Sequence, residues 1–161
     1  MRPIQLTDRA VFLANARVSH ALHRQWIEVP ITAPRFQRYV EELSQDDNRG
    51  FLVFRQDTGD LVGGIELRDI YFDNFRNSYV VYYGFVGQIG AGWMQAGLRQ
   101  VIRFAFRELK LHRLEANIQL GNTASVALAS ACGFKKEGES PRFLKIRGRW
   151  RDFERWALLN D

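Results

Sequence analysis

Gly87, Gly90 and Gly92 fall within six residues of the stretch GQIGAGWMQAGL, over 87–98, and a helical pattern follows at once. The chemistry open to such a run is anion binding. The first turn of a helix leaves backbone N–H groups without carbonyl partners, and the helix dipole adds positive character there. Glycine has no Cβ, so a phosphate can come close to those donors. A tight strand-to-helix turn would use the same residues for no chemistry, and the loop alone leaves both readings open. Two familiar phosphate loops do not fit. No Gly-Lys-Ser/Thr is present. The dinucleotide fingerprint needs a third glycine and an acidic residue ending the next strand. Trp93, Met94, Gln95 and Ala96 follow instead, and Glu108 lies within the same helical stretch.

Other residues could move protons. Asn122 and Ser125 open a second helical stretch, where the asparagine can cap the helix and the serine adds a first-turn hydroxyl. Capping alone accounts for Asn122. That helix is built from small residues, among them Ala124, Ala127 and Ala131. They permit close packing on a neighbour or a ligand, though alanine is also simply a good helix former. Glu66 lies in an otherwise apolar strand, as a candidate base or as an outward-facing residue. His20, His23 and His112 could each serve as a base, and a lone histidine is more often structural. Lys145, Arg147, Arg149 and Arg151 alternate with Ile146 and Trp150. They form a solvated hairpin or, as the less favoured reading, a contact for RNA or the ribosome.

These residues need elements to hold them. Arg2 to Leu6 reads as a short strand, with Thr7 capping a helix from Asp8 to about His20. Phe12, Leu13, Ala16 and Val18 give that helix an apolar face. Pro34 starts a second helix, in which Phe36, Tyr39, Val40 and Leu43 recur at helical spacing. GFLVFRQDTGDLVGGIEL predicts two strands around the turn Asp57-Thr58-Gly59-Asp60. NSYVVYYGFV is a third strand, and HRLEANIQL a fourth beyond the glycine-started helix. Met94, Leu98, Val101, Ile102, Ala105 and Leu109 share one face of that helix, with Arg99, Arg103 and Arg107 elsewhere. Gly133 followed by apolar Phe134 is a helix stop. A hairpin turn is expected at Arg147-Gly148-Arg149, and Trp150, Phe153, Trp156 and Ala157 fit a helix as well as a strand. The sum is an α+β (mixed α/β) fold, a mixed sheet with helices packed on it.

Composition sets the outer limits. The chain has 161 residues, 46% hydrophobic and 25% charged, with a net charge of +5. One domain over 1–161 is expected. No apolar run is long enough to span a bilayer, and no signal peptide is evident. The single Cys132 offers neither an internal disulfide nor a metal cluster. A cytoplasmic protein without a metal or membrane partner is the expectation, and its charge suits an anionic ligand.

The second half of the chain resembles the GNAT superfamily of acetyl-CoA-dependent N-acetyltransferases, in its RimJ/RimL-type branch. GAGWMQAGL is similar to the branch's loop and helix start. LHRLEANIQLGNTASVALASACGFKKEG is similar to its strand, Asn-x-x-Ser helix and Gly-Phe exit. FLKIRGRWRDFERWALL is similar to its C-terminus, with Phe143 in place of a tyrosine. The resemblance runs from about Tyr79 to Leu159. It implies a mostly antiparallel twisted sheet of about six or seven strands flanked by about four helices.

The resemblance also implies roles. Phe85 and Val86 would offer backbone groups to the pantetheine of acetyl-CoA. Gly90, Ala91, Gly92, Trp93 and Met94 would cradle its pyrophosphate, which suits the physics of a helix N-terminus. Ile89 stands where the family often has Gln or Arg, so the cradle rests on the backbone. Asn122 would contact pantetheine, and Ser125 would protonate the leaving thiolate. The carboxylate some relatives place before Phe143 is Arg142 here, which leaves Glu66 as the candidate base beside a route through water. The implied acceptor is a primary amine, a protein N-terminal α-amine, that of a ribosomal protein among the options, attacking directly in a ternary complex. A polyamine or antibiotic acceptor stays open, as does a non-catalytic module binding coenzyme A or RNA. Monomer and homodimer are both compatible.

Overall fold

The computed structural model describes residues 1–160. Its elements are β1 (Arg2–Pro3), α1 (Arg9–Val18), α2 (His20–His23), α3 (Ala33–Leu43), β2 (Arg49–Phe54), β3 (Leu61–Tyr71), β4 (Asn77–Gly84), α4 (Trp93–Arg107), β5 (Arg113–Gln119), α5 (Thr123–Ala131), β6 (Lys135–Ile146) and β7 (Arg149–Leu159). Among the described residues these strands form one seven-stranded sheet, in the order β1-β2-β3-β4-β5-β7-β6. Every neighbouring pair is antiparallel except β4 and β5. Parallel neighbours need a long crossover, and α4 supplies it. The sheet is the mixed, mostly antiparallel one expected. The fifth helix, α2, is a single turn of four residues.

Side chains alternate across the strands, so each face gains its own core. On one face Val53, Val62, Ile65, Leu67 and Val80 meet Leu98, Val101 and Ala105 of α4. On the other, Leu52, Leu61, Tyr83 and Phe85 meet Phe12, Phe36 and Val40 of α1 and α3. The adjacent tyrosines Tyr82 and Tyr83 therefore point to opposite faces.

One feature of the register makes a site. β4 pairs with β3 out to Gly84, and β5 pairs with β7 out to Gln119. Between themselves β4 and β5 pair only from Asn77↔Arg113 to Tyr79↔Glu115. Beyond those residues the two strands part, and the sheet carries a gap at its centre.

The N-terminus differs from expectation. The strand stops at Pro3, and Leu6–Asp8 form a 3-10 turn before α1. Thr7 lies inside that turn and does not cap. Asp8 closes it, accepting from the Gln5 N–H at 2.8 Å and from Arg2 Nη1 at 2.9 Å. Val18 is 72% exposed, because α1 ends at that residue and the chain turns into α2. The segment after Arg149 is a strand, since its backbone pairs with β5 and β6 on both sides. Its hairpin turns on Arg147 and Gly148, at φ 49° and 80°, the positive pair that a two-residue turn of matching twist requires. The helix stop is as expected: Phe134 is buried and its N–H returns to the Ala129 carbonyl at 3.1 Å.

Candidate active site

The gap between β4 and β5 opens into a cleft of about 420 Å³. Tyr82 and Gly84 of β4 form one wall, and Asn122, Ala124 and Ser125 of α5 the other. The glycine loop and the start of α4, with His23, Trp26 and Ile27, complete its lining.

Gly90 and Gly92 line the cleft at φ 89° and 78°. A side chain at either position would meet nothing within 4 Å, so the glycines answer to backbone conformation and leave open space toward a ligand. Gly92 is the N-cap of α4, and no side chain caps that helix. Its first bond runs from the Ala96 N–H to the Gly92 carbonyl at 3.0 Å. The N–H groups of Trp93, Met94 and Gln95 precede that bond and lack helical partners. Met94 lines the cleft, whereas Ala91 and Trp93 are not among its lining residues, and the Trp93 indole lies under the Arg55 guanidinium. Gln88 also lines the cleft, with its amide oxygen buried and without a partner among the described residues. It is the polar side chain of this loop, beside the largely exposed Ile89.

The strand edge offered to a ligand differs from the expected one. Phe85 is fully buried, and its N–H donates to the Val62 carbonyl of β3 at 2.8 Å. The Val86 N–H donates to Ser19 Oγ at 2.9 Å. Neither residue lines the cleft. Backbone groups alternate in direction along a strand, so a residue bonded to β3 turns its back on the gap. Tyr82 and Gly84 are the residues that face it.

Asn122 Oδ1 accepts from the Ser125 N–H at 3.2 Å, which caps α5. The Tyr82 hydroxyl donates to the Ser125 carbonyl at 2.8 Å. Ser125 is thus held through its backbone, and the residue lines the cleft. Burial pushes the Tyr82 phenol well up, so it stays a neutral donor.

Glu66 is neither outward-facing nor in the cleft. It is buried on the α3 face, in a second recess of about 370 Å³ with Tyr39, Arg68 and Val81. One carboxylate oxygen accepts from the Tyr39 hydroxyl, and the other from Arg68 Nε at 2.6 Å. The Tyr39 and Tyr83 hydroxyls stand 2.7 Å apart, and Tyr83 reaches the cleft. Burial, then the Glu66 charge, raises both phenols far above the ordinary tyrosine range. Gly64 pairs with Tyr83 across β3 and β4, and a side chain there would overlap the phenol ring. The sequence reading missed all three tyrosines. Their legible signal was two adjacent phenols in a strand beside a glycine pair.

Of the three histidines, His20 and His112 are exposed. His23 is 5% exposed and lines the cleft, with Nε2 2.7 Å from the Gly84 carbonyl. Burial lowers its pKa below the ordinary value of 6.5.

Known proteins share this architecture. The Acetyltransferase (GNAT) domain family matches residues 1–135. The chain is 33% identical over 126 residues to Probable N-acetyltransferase YjcK of Bacillus subtilis (strain 168), taking in 78% of this chain and 70% of that one. It is 33% identical over 110 residues to ribosomal protein uS5-alanine N-acetyltransferase of Escherichia coli (strain K12), across 67% of this chain and 56% of the other. Mycobacterium smegmatis RimJ in complex with CoA-disulfide superposes with a TM-score of 0.89 at 23% identity, over 98% of this chain and 80% of that one. Spermidine N-acetyltransferase from Vibrio cholerae in complex with CoA and spermine gives 0.82 at 21% identity, over 98% and 93%. Those two likenesses establish the fold. With the family matched over residues 1–135 and relatives 33% identical over the aligned stretches, the chain belongs to the GNAT acetyltransferase family and is an acetyl-CoA-dependent N-acetyltransferase.

Proposed function

We propose that acetyl-CoA occupies the β4–β5 cleft and that its acetyl group passes directly to a protein N-terminal α-amine. The observation that carries the cofactor's place is the joining of a strand edge parted from its neighbour to an uncapped, glycine-opened helix N-terminus. A chain of amides suits the edge at Tyr82 and Gly84. A pyrophosphate suits Gly90, Gly92 and the N–H groups of Trp93 and Met94. The CoA-bound neighbours of the same fold support this placement.

Ser125 stands on the wall opposite β4, where its hydroxyl would protonate the departing thiolate. Asn122 and Tyr82 hold it there through its backbone. Glu66 is a poor direct base, because Tyr39 and Arg68 engage both of its oxygens. Its part is to hold Tyr39 and, through it, Tyr83.

The choice of acceptor follows from charge. Among the described residues no Asp or Glu lines the cleft. The neighbouring recess sets Arg35, Arg38 and Arg68 against Glu28, Glu42 and Glu66. A polycation finds little there to bind. An α-amine, with a pKa of about 8, is partly neutral near pH 7, whereas an alkylamine near 10 needs a stronger base.

The test is thiol release from acetyl-CoA with an alanyl peptide, the same peptide N-acetylated, spermidine and an aminoglycoside. Turnover with the free peptide alone is expected. Turnover confined to the small amines would overturn the acceptor, and failure to bind coenzyme A would overturn the cleft's assignment.

A further inference from the structure

We propose that Nδ1 of His23 receives the hydrogen bond, and then the proton, of the attacking amine. The inference rests on acetyl transfer taking place in the β4–β5 cleft. The Gly84 carbonyl can only accept, so the Nε2 facing it at 2.7 Å must carry the ring proton. Nδ1 is then a bare lone pair. It is buried and, among the described residues, has no partner. An unsatisfied buried acceptor is costly and rare, and the group that would satisfy it is an N–H brought in by a ligand.

The ring is fixed in place. Tyr83 packs edge-on at 5.6 Å between centroids, and Phe85 lies at 5.8 Å. The titratable groups near it are His20, on its own short helix, and the Tyr83 phenol of β4. Tyr82, Tyr83 and His23 are the titratable side chains lining the cleft among the described residues. Both phenols are held protonated. His23, kept neutral by burial, is therefore the cleft's one lone pair able to take a proton near neutral pH.

The step balances with the established cosubstrate alone. The amine lone pair adds to the thioester carbonyl carbon, forming the C–N bond, and the carbonyl π pair moves to oxygen. The nitrogen, now cationic, gives its proton to Nδ1. The oxygen pair returns, the C–S bond breaks, and the thiolate takes one proton from the Ser125 hydroxyl. The proton held by His23 then passes to the Ser125 oxygen, which restores both side chains. The products are one amide and one thiol.

His23→Gln tests this. Glutamine keeps a side-chain N–H for the Gly84 carbonyl and has no second ring nitrogen. With whichever amine the wild type turns over, kcat should fall by about 10²-fold or more, with the KM for acetyl-CoA little changed. The wild-type kcat/KM should fall on the acid side as Nδ1 becomes protonated, with a midpoint below the ordinary histidine value of 6.5 because burial lowers it, and the variant should lack that limb. An unchanged kcat, a retained acid limb, or a raised KM for acetyl-CoA at full kcat would each overturn the proposal. The last would assign Nδ1 to an amide of the cofactor. Wild-type activity reads the acetyltransfer assignment separately from the variant ratio. Should the variant fail to fold, or no amine turn over, ring-nitrogen NMR of the ¹⁵N-histidine-labelled wild type decides. The Nδ1 resonance should move when alanyl peptide or spermidine joins the coenzyme A complex. Movement with coenzyme A alone, or none, refutes it.

Discussion

The Tyr82 hydroxyl donates to the Ser125 carbonyl at 2.8 Å, across the opening where β4 and β5 have parted. One phenol thus ties the central strand to the first turn of α5 and sets the width of the cleft between them. Tyr82→Phe removes the tie and keeps the ring. Loss of about 1 kcal/mol of stability is expected, read by urea unfolding. Turnover should drop as well, because Ser125 is no longer held. A variant equal to wild type in both would show that α5 needs no such tether.

Ser125→Ala addresses the hydroxyl itself. An interaction made only as the thiolate departs lowers kcat and leaves ground-state binding alone. Steady-state kinetics should show kcat down by about tenfold or more, with the KM for acetyl-CoA nearly constant. Undiminished turnover would leave Ser125 a helix-start residue and nothing further.

Gly92→Asp places a carboxylate at the proposed pyrophosphate cradle, at φ 78°. Gly92→Ala imposes the same backbone strain, costing about 1 kcal/mol, without the charge. Calorimetric titration with coenzyme A should find the aspartate variant at least tenfold weaker than the alanine variant. Equal dissociation constants in the two folded proteins would remove the phosphate from this loop.

Glu66→Ala should act on stability. It strips Tyr39 and Arg68 of a shared buried acceptor. Breaking a buried pair costs about 3–5 kcal/mol, and the low end is expected because the Arg68 side chain is 26% exposed. Denaturant midpoints measure it. A change under about 0.5 kcal/mol would mean the network contributes little.

Asp8 makes stability depend on acid. The hydrogen bond from Arg2 holds its carboxyl below the ordinary value of 3.8. A depressed carboxyl adds stability that is present above its unfolded pKa and is lost as pH falls through the folded one. Wild type should therefore exceed Asp8→Asn by a constant margin above about pH 5, and the margin should shrink below pH 4. Thermal melts of the two proteins between pH 2 and 7 would expose a margin that does not shrink, which would refute the coupling.

Sequence alone determined the parts whose causes are local. Hydrophobic period placed α3, α4 and the strands from β2 to β5, because one buried stripe per helix and alternate burial in strands are written along the chain. Gly133 with Phe134 ended α5, and Gly90 with Gly92 marked the helix that a phosphate could approach. Family resemblance pointed to acetyl-CoA as the cosubstrate and to Ser125 as a candidate acid. The tertiary structure decided what depends on partners distant in the chain. Trp150 to Ala157 fits either period, and only pairing with β5 makes it a strand. Phe85 and Val86 read as open strand edge until Val62 and Ser19 take their N–H groups. Glu66 was a lone carboxylate until α3 brought Tyr39 onto it. His23 lies 61 residues before Gly84, the carbonyl that orients it. No local pattern could show that its other nitrogen is buried and, among the described residues, without a partner, on a residue that lines the cleft.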